Sequence, residues 1–145
     1  MYSLEEFDKQ KTRVMKYVIY KRRTEQEIKT KFSNSIEENM LKDIIEYLKE
    51  AKYIDDKEYI EKAINNYKML KNLSLKEVKY KLLSKGLNKN DIEDYFYEHK
   101  DELNEYEKKS AKKIYLKKQK DMDTEEIKQY LLKKGYSYDN LKFEE

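Results

Sequence analysis

Residues 77–87 read E-V-K-Y-K-L-L-S-K-G-L, and residues 126–136 read E-I-K-Q-Y-L-L-K-K-G-Y. Six of the eleven positions are identical, and they include Gly86 and Gly135, the only glycines in the chain. A glycine just past a helix closes it in the left-handed conformation, because no Cβ meets the following carbonyl. Each copy therefore predicts a helix with a sharp stop. Upstream of each lies a capping-box pair, Ser74 with Glu77 and Asp123 with Glu126, able to satisfy the free amides of a first helical turn. A third copy begins at Thr24 with Glu27. Its Ile28 and Phe32 correspond to Val78 and Leu82, and to Ile127 and Leu131, each pair four residues apart on one helix face. The anchors at 24, 74 and 123 are 50 and 49 residues apart, a period expected of tandem supersecondary units that share a core.

Working outward, the period divides 145 residues into three units, 1–52, 53–100 and 101–145. Units of that size bury too little surface to be stable alone, so each must cover its neighbour's apolar stripe. No proline and two glycines leave almost no hairpin chemistry, and the prediction is an all-α fold of three tandem three-helix, helix-turn-helix-like repeats in an elongated curved array. Charged residues make up 43% of the chain and hydrophobic ones 38%, a balance suited to slim helices with one buried stripe each. Fifteen tyrosines, four phenylalanines and regular apolar spacing argue against disorder. The net charge of +3 implies no bulk field for nucleic acid, so local patches must carry any such role. No apolar run approaches the roughly 20 residues of a membrane helix, and no signal-peptide pattern is present, so the expectation is a cytoplasmic monomer without membrane contact.

In chain order, Ser3 and Glu6 open a first helix carrying Phe7, Val14, Met15 and Val18, followed by the basic corner Lys21-Arg22-Arg23. Thr24 caps a short helix to Phe32. After Ser33-Asn34-Ser35, a third helix carries Leu41, Ile44, Ile45 and Leu48. Asp55 and Glu58 open the second long helix, with Tyr59, Ile60, Ala63, Ile64, Tyr67 and Leu70 inward. Ser74 and Gly86 bound the next short helix, and Ile92, Tyr95 and Phe96 face inward from the helix after it. The third unit starts with a long helix from about Asp101 to Lys120, apolar at Leu103, Ala111 and Ile114. It ends in a truncated helix with Tyr138, Leu141 and Phe143.

For catalysis the inventory is poor. The single histidine, His99, sits at a predicted helix end, where the ordinary reading is a helix-terminal imidazole. Asp55 and Asp56 read as caps rather than metal ligands. No phosphate loop, nucleophile elbow or histidine metal motif occurs, and no cysteine supplies a thiol, disulfide or zinc site, so neither enzyme activity nor a cofactor is expected. Basic clusters are the better material. Lys79, Lys81 and Lys85 are repeated in kind as Lys128, Lys133 and Lys134, while Lys109, Lys113 and Lys120 lie opposite the apolar stripe of the third long helix. Tyr80 and Tyr130 flank lysines and suit either base stacking or packing between units.

Thr24-x-x-Glu27-Ile28, Ile54-Asp55-Asp56-x-x-Tyr59, the E-V-K-x-x-L-L-x-K-G-L segment and the closing L-L-K-K-G-Tyr136-Ser137-Tyr138 resemble the RecX regulatory proteins of bacteria, over about Val14 to Leu141. The resemblance implies three tandem three-helix repeats and a non-enzymatic modulator of the RecA recombinase filament. Such a protein lodges along the filament groove and damps ATP hydrolysis, strand exchange and co-protease activity in recombination, DNA repair and the SOS response. The first unit departs from the family pattern in lacking the Lys-Gly stop after its short helix, and only Arg13, Arg22 and Arg23 stand where arginine is commoner. The expected contacts to the filament or its DNA backbone are Arg22, Arg23, Lys79, Lys85, Lys113, Lys117, Lys133 and Lys134. The alternative is a protein that binds single- or double-stranded DNA directly through a helix-turn-helix-type unit. Against it, the short helices begin with acidic residues and lack the Arg, Asn and Gln that read base edges.

Overall fold

The computed structural model describes residues 2–143 and contains, among them, eight α-helices and no strand. The helices are α1 (Leu4–Tyr20), α2 (Glu25–Phe32), α3 (Glu38–Glu50), α4 (Asp56–Leu70), α5 (Leu75–Ser84), α6 (Lys89–Glu98), α7 (Lys100–Lys118) and α8 (Thr124–Lys134), with a 3-10 turn at Tyr138–Asn140. Among the described residues two compact units form, one of residues 2–60 with Lys85–Leu87, the other of Glu61–Ser84 with residues 88–143.

In the first unit, α1 and α2 both pack on α3. The i,i+4 pairs Val14 and Val18, Ile28 and Phe32, and Ile44 and Leu48 close a core completed by Ile36, Met40, Leu41, Ile45 and Ile54. Phe32 lies edge-on against Tyr17 at 5.5 Å. In the second unit, α6 packs on α5 and α7, and α8 and the 3-10 turn pack on α7. Ala111, Ile127, Leu131, Tyr136 and Leu141 form one cluster there, with Phe143 stacked on Tyr115 at 4.2 Å.

The capping boxes expected at Thr24, Ser74 and Asp123 are present, whereas at the equally spaced pairs Ser3 with Glu6 and Asp55 with Glu58 only the cap's acceptance of the glutamate amide is made among the described residues. Thr24, Ser74 and Asp123 accept the amides of Glu27, Glu77 and Glu126, and each glutamate side chain accepts its cap's amide in return. Gly86 and Gly135 have φ of 81° and 107°, the left-handed stop expected of them.

Two expectations need correction. Leu70 is 57% exposed rather than inward, because it is the last residue of α4 and the chain there turns through Lys71 at φ 51°. The truncated last helix is a single 3-10 turn with Tyr138 67% exposed, so Leu141 and Phe143, not Tyr138, seal the end of the core. Opposite the apolar stripe of α7, as expected, stands Lys113, whose Nζ donates to the Leu70 carbonyl at 3.1 Å.

Candidate partner-binding residues

Two junctions of the same construction position the basic residues. Thr24 Oγ1 donates to the carbonyl of Lys85 at 2.7 Å, and Ser74 Oγ donates to the carbonyl of Lys134 at 3.0 Å. Each bond joins the cap of one short helix to the residue preceding a glycine stop. The glycines are held close: a Cβ on Gly86 would lie 2.3 Å from Gln26 Cβ, and one on Gly135 would lie 2.9 Å from Lys76 Cβ. Gln26 and Lys76 both stand two residues past their caps. A carboxylate completes each junction by accepting the first helical amide, Asp56 from Glu25 at 3.1 Å and Glu107 from Leu75 at 3.0 Å. Helix N-termini favour such negative charge.

Glu107 is 2% exposed and also accepts from the Ser137 amide at 3.3 Å and from Asn140 Nδ2 at 2.5 Å. Three donors around one carboxylate are what make its burial tolerable. Beside it, four successive carbonyls, from the last residue of α4 onward, each receive a side-chain donor: Lys113 Nζ at Leu70, Ser110 Oγ at Lys71, Lys134 Nζ at Asn72 and Tyr106 Oη at Leu73. These are the orphan acceptors of a helix end and its turn. Burial raises the pKa of Tyr136, whose hydroxyl donates to Ser110 Oγ at 2.6 Å, the Ser110 hydrogen being given to the Lys71 carbonyl.

The eight basic residues singled out by sequence fall into three environments. Lys113 and Lys134 converge on the turn after α4, and Lys134 also pairs with Glu77 at 3.0 Å. Arg22, Arg23 and Lys79 lie against protein groups: Arg22 pairs with Glu58 at 2.8 Å, the Arg23 guanidinium sits 4.0 Å over the Tyr17 ring, and Lys79 pairs with Glu93 and covers Phe96. Arg23 Nε is buried with no hydrogen-bond partner among the described residues. Lys85 is half-buried and lends its carbonyl to Thr24, while Lys117 on α7 and Lys133 on α8 are exposed and enter no ion pair among the described residues.

Glu107, Ser110 and Tyr106 escaped sequence reasoning as structural groups. The available signal was their place at the helical spacing of Leu103, Ala111 and Ile114, where a polar residue in a buried stripe requires partners. His99 stacks on Tyr95 at 3.9 Å with Nδ1 3.0 Å from the Tyr95 carbonyl, the helix-terminal role expected of it. Tyr80 is 73% exposed, whereas Tyr130 carries Lys118 Nζ 4.3 Å over its ring. No group of three or more potential metal ligands occurs among the described residues, and no helix among them is long and apolar enough to cross a membrane.

No family model matches the chain. Regulatory protein RecX of Clostridium perfringens (strain 13 / Type A) is 31% identical over 142 residues, covering 93% of this chain and 66% of that protein. A crystal structure of RecX from Lactobacillus salivarius aligns with a TM-score of 0.84 at 25% identity, over 96% of this chain and 94% of that one. The chain belongs to the RecX family. Regulatory protein RecX of Staphylococcus carnosus is 30% identical over 129 residues, 86% of this chain but 48% of the relative. The chain thus spans about half to two thirds of the length of these curated RecX proteins. A second RecX crystal structure shares the fold with a TM-score of 0.79 at 23% identity, over 92% of this chain and 70% of that one. The repeated glycine segments and caps that mark the RecX resemblance are the residues that build the two junctions.

Proposed function

We propose that this RecX-family chain is a regulator that binds the RecA recombinase filament and lowers its ATPase, strand-exchange and co-protease activities, acting without chemistry of its own. Membership of the regulatory RecX family carries the reading. The division into three repeats at 1–52, 53–100 and 101–145 belongs to the same proposal, supported by the equivalent caps, glycines and junction bonds. Several weak contacts borne by one array add up through effective concentration, which suits a partner that repeats along a filament.

Among the candidate contacts, Lys117 and Lys133 are best placed to meet acidic filament surface or DNA backbone. Arg22, Arg23, Lys79 and Lys85 offer partly exposed charge, and Lys113 and Lys134 contribute through the turn they hold. The deciding measurement is ATP hydrolysis by RecA from the same source on single-stranded DNA, titrated with this protein beside a DNA-only binding control. A fall in rate at substoichiometric protein, before DNA is sequestered, is the expected result. Unchanged hydrolysis together with no binding to preformed filaments would refute the proposal. Lys117→Glu with Lys133→Glu should weaken filament binding and its salt dependence while the melting temperature stays within a degree or two of wild type.

Direct groove reading of DNA has less support. The first turns of α5 and α8 carry Glu77, Glu125 and Glu126, and those of α2 carry Glu25 and Glu27, all facing the end of the helix that would enter a groove.

A further inference from the structure

Apolar side chains are scarce on so polar a chain, whose mean hydropathy is −1.18, yet two exposed apolar pairs recur at equivalent positions. Ile19 and Tyr20, five and four residues before the Thr24 cap, are 64% and 86% exposed. Met69 and Leu70, five and four residues before the Ser74 cap, are 80% and 57% exposed. Each pair ends a long helix, α1 or α4, and each is followed at once by cations, Lys21 and Arg22 in one case and Lys71 in the other. On α7, Leu116 is 54% exposed one turn beyond Lys113, the residue whose Nζ is bonded to the Leu70 carbonyl.

Nothing in local folding calls for these residues. An apolar side chain at the last turn of a surface helix contributes little when it stays in water, and a polar one there is close to neutral for stability. A cation at a helix C-terminus has a local electrostatic reason to be there, but a neighbouring apolar pair at 50-residue spacing does not. Isolated surface apolar groups are ordinary; a pair repeated at the same place in successive segments is a pattern. The chemistry of the pattern is an apolar anchor beside positive charge, which fits an apolar pocket rimmed by carboxylates. Recurrence of one anchor along the chain fits a partner that offers one such pocket many times, as a polymer of identical subunits does.

We propose that the Ile19–Tyr20 and Met69–Leu70 pairs are the apolar anchors of this chain on its filament partner, each entering an acid-rimmed apolar pocket of one RecA protomer, with Leu116 extending the second anchor. The inference rests on the regulator reading. Affinity then resides in the apolar pairs, and the lysines and arginines set the approach and the salt dependence.

The test is co-sedimentation and fluorescence-anisotropy titration against RecA filaments preformed on single-stranded DNA, using the full chain. Ile19→Ser with Tyr20→Ser, and separately Met69→Ser with Leu70→Ser, should each weaken binding by about tenfold or more, with the slope of affinity against salt unchanged because no charge is removed. Tyr97→Ser, at a position 81% exposed on α6, is the control and should bind as wild type. Circular dichroism and melting temperature report whether the variants remain folded. If a serine pair lowers the melting temperature, the single changes Tyr20→Gln and Met69→Gln, at the most exposed members, should still show the loss of affinity. Wild-type affinity in all the anchor variants overturns the inference while leaving the regulator reading in place. Failure of the wild-type chain itself to bind filaments overturns both, and the two results are told apart within one titration.

Discussion

Gly86 shows how much can depend on one absent methyl group. At φ 81° any other residue is strained, and an added Cβ would also sit 2.3 Å from Gln26 Cβ. Gly86→Ala should therefore cost about 2–4 kcal/mol by urea denaturation, more than the left-handed conformation alone. Adding Gln26→Ala should recover only part of this, since it removes Gln26 Cγ, which would lie 2.5 Å from the added Cβ, but leaves Gln26 Cβ in place. Of these two constraints only the backbone one was legible in sequence, from the glycine's place after a helical stripe. Gln26 is 60 residues away and on another helix, so no local pattern marks it as the neighbour. Tyr136 adds a pH dependence. Its hydroxyl is buried and its pKa is raised above the ordinary value near 10, so the unfolded chain releases that proton first. The stability it contributes is full below about pH 10 and declines as pH rises beyond that. Tyr136→Phe should flatten the decline between about pH 10 and 12 in alkaline melting curves, while wild type loses stability steadily across the same interval.

For single elements, α7 combines a packing stripe with a set of hydrogen-bonding groups. Leu103 and Ala111 were recognisable on it as core, but Tyr106, Glu107 and Ser110 are buried by the same spacing and bind backbone groups outside their own helix. Sequence periodicity identifies the face and is silent about its polar members' partners, which lie more than 25 residues away. Glu107→Gln would turn an amide donor toward amides that need an acceptor, and should cost about 2–4 kcal/mol, with Glu107→Ala costing at least as much. The elements held by caps and i,i+4 apolar pairs, α2, α5 and α8, were legible because both signals are local, and α3 was legible from its apolar stripe although its cap, Glu37, was not. The end of the chain was not, because a 3-10 turn anchored by Asn140 on Glu107 carries no period of its own. Among the described residues, two that follow helix ends adopt the left-handed region without being glycine, Lys52 at φ 64° and Lys71 at φ 51°. Lys52→Gly should stabilise by up to about 1 kcal/mol in chemical denaturation, by relieving the left-handed backbone. A loss of stability would show that the Lys52 side chain makes a contact worth more than the strain.

At the scale of the whole molecule, the family resemblance was carried by residues that hold the fold together rather than by the residues proposed to meet a partner. The glycines, caps and linker acids that mark RecX are the parts of the two junctions, which is why fold and family were readable together. Candidate contacts were less legible because charge pattern cannot distinguish a lysine that binds a carbonyl of its own chain from one that faces water. Lys134 and Lys133 are neighbours in sequence, yet one is tied to Glu77 and Asn72 while the other is exposed. Lys134→Glu should accordingly lower the melting temperature by several degrees through repulsion of Glu77 and loss of the Asn72 contact, whereas Lys133→Glu should leave it unchanged; thermal denaturation of the two separates these roles.

The junction bonds also set a direction for assembly on the ribosome. The hydroxyl of Thr24 waits for a carbonyl 61 residues later and that of Ser74 for one 60 residues later, so each short helix acquires its last partner only after the following glycine turn has emerged. A nascent chain stalled before Lys85 would expose the first cap with that bond unmade, and its protection against proteolysis should rise in steps as residues 85–87 and then 134–136 leave the exit tunnel.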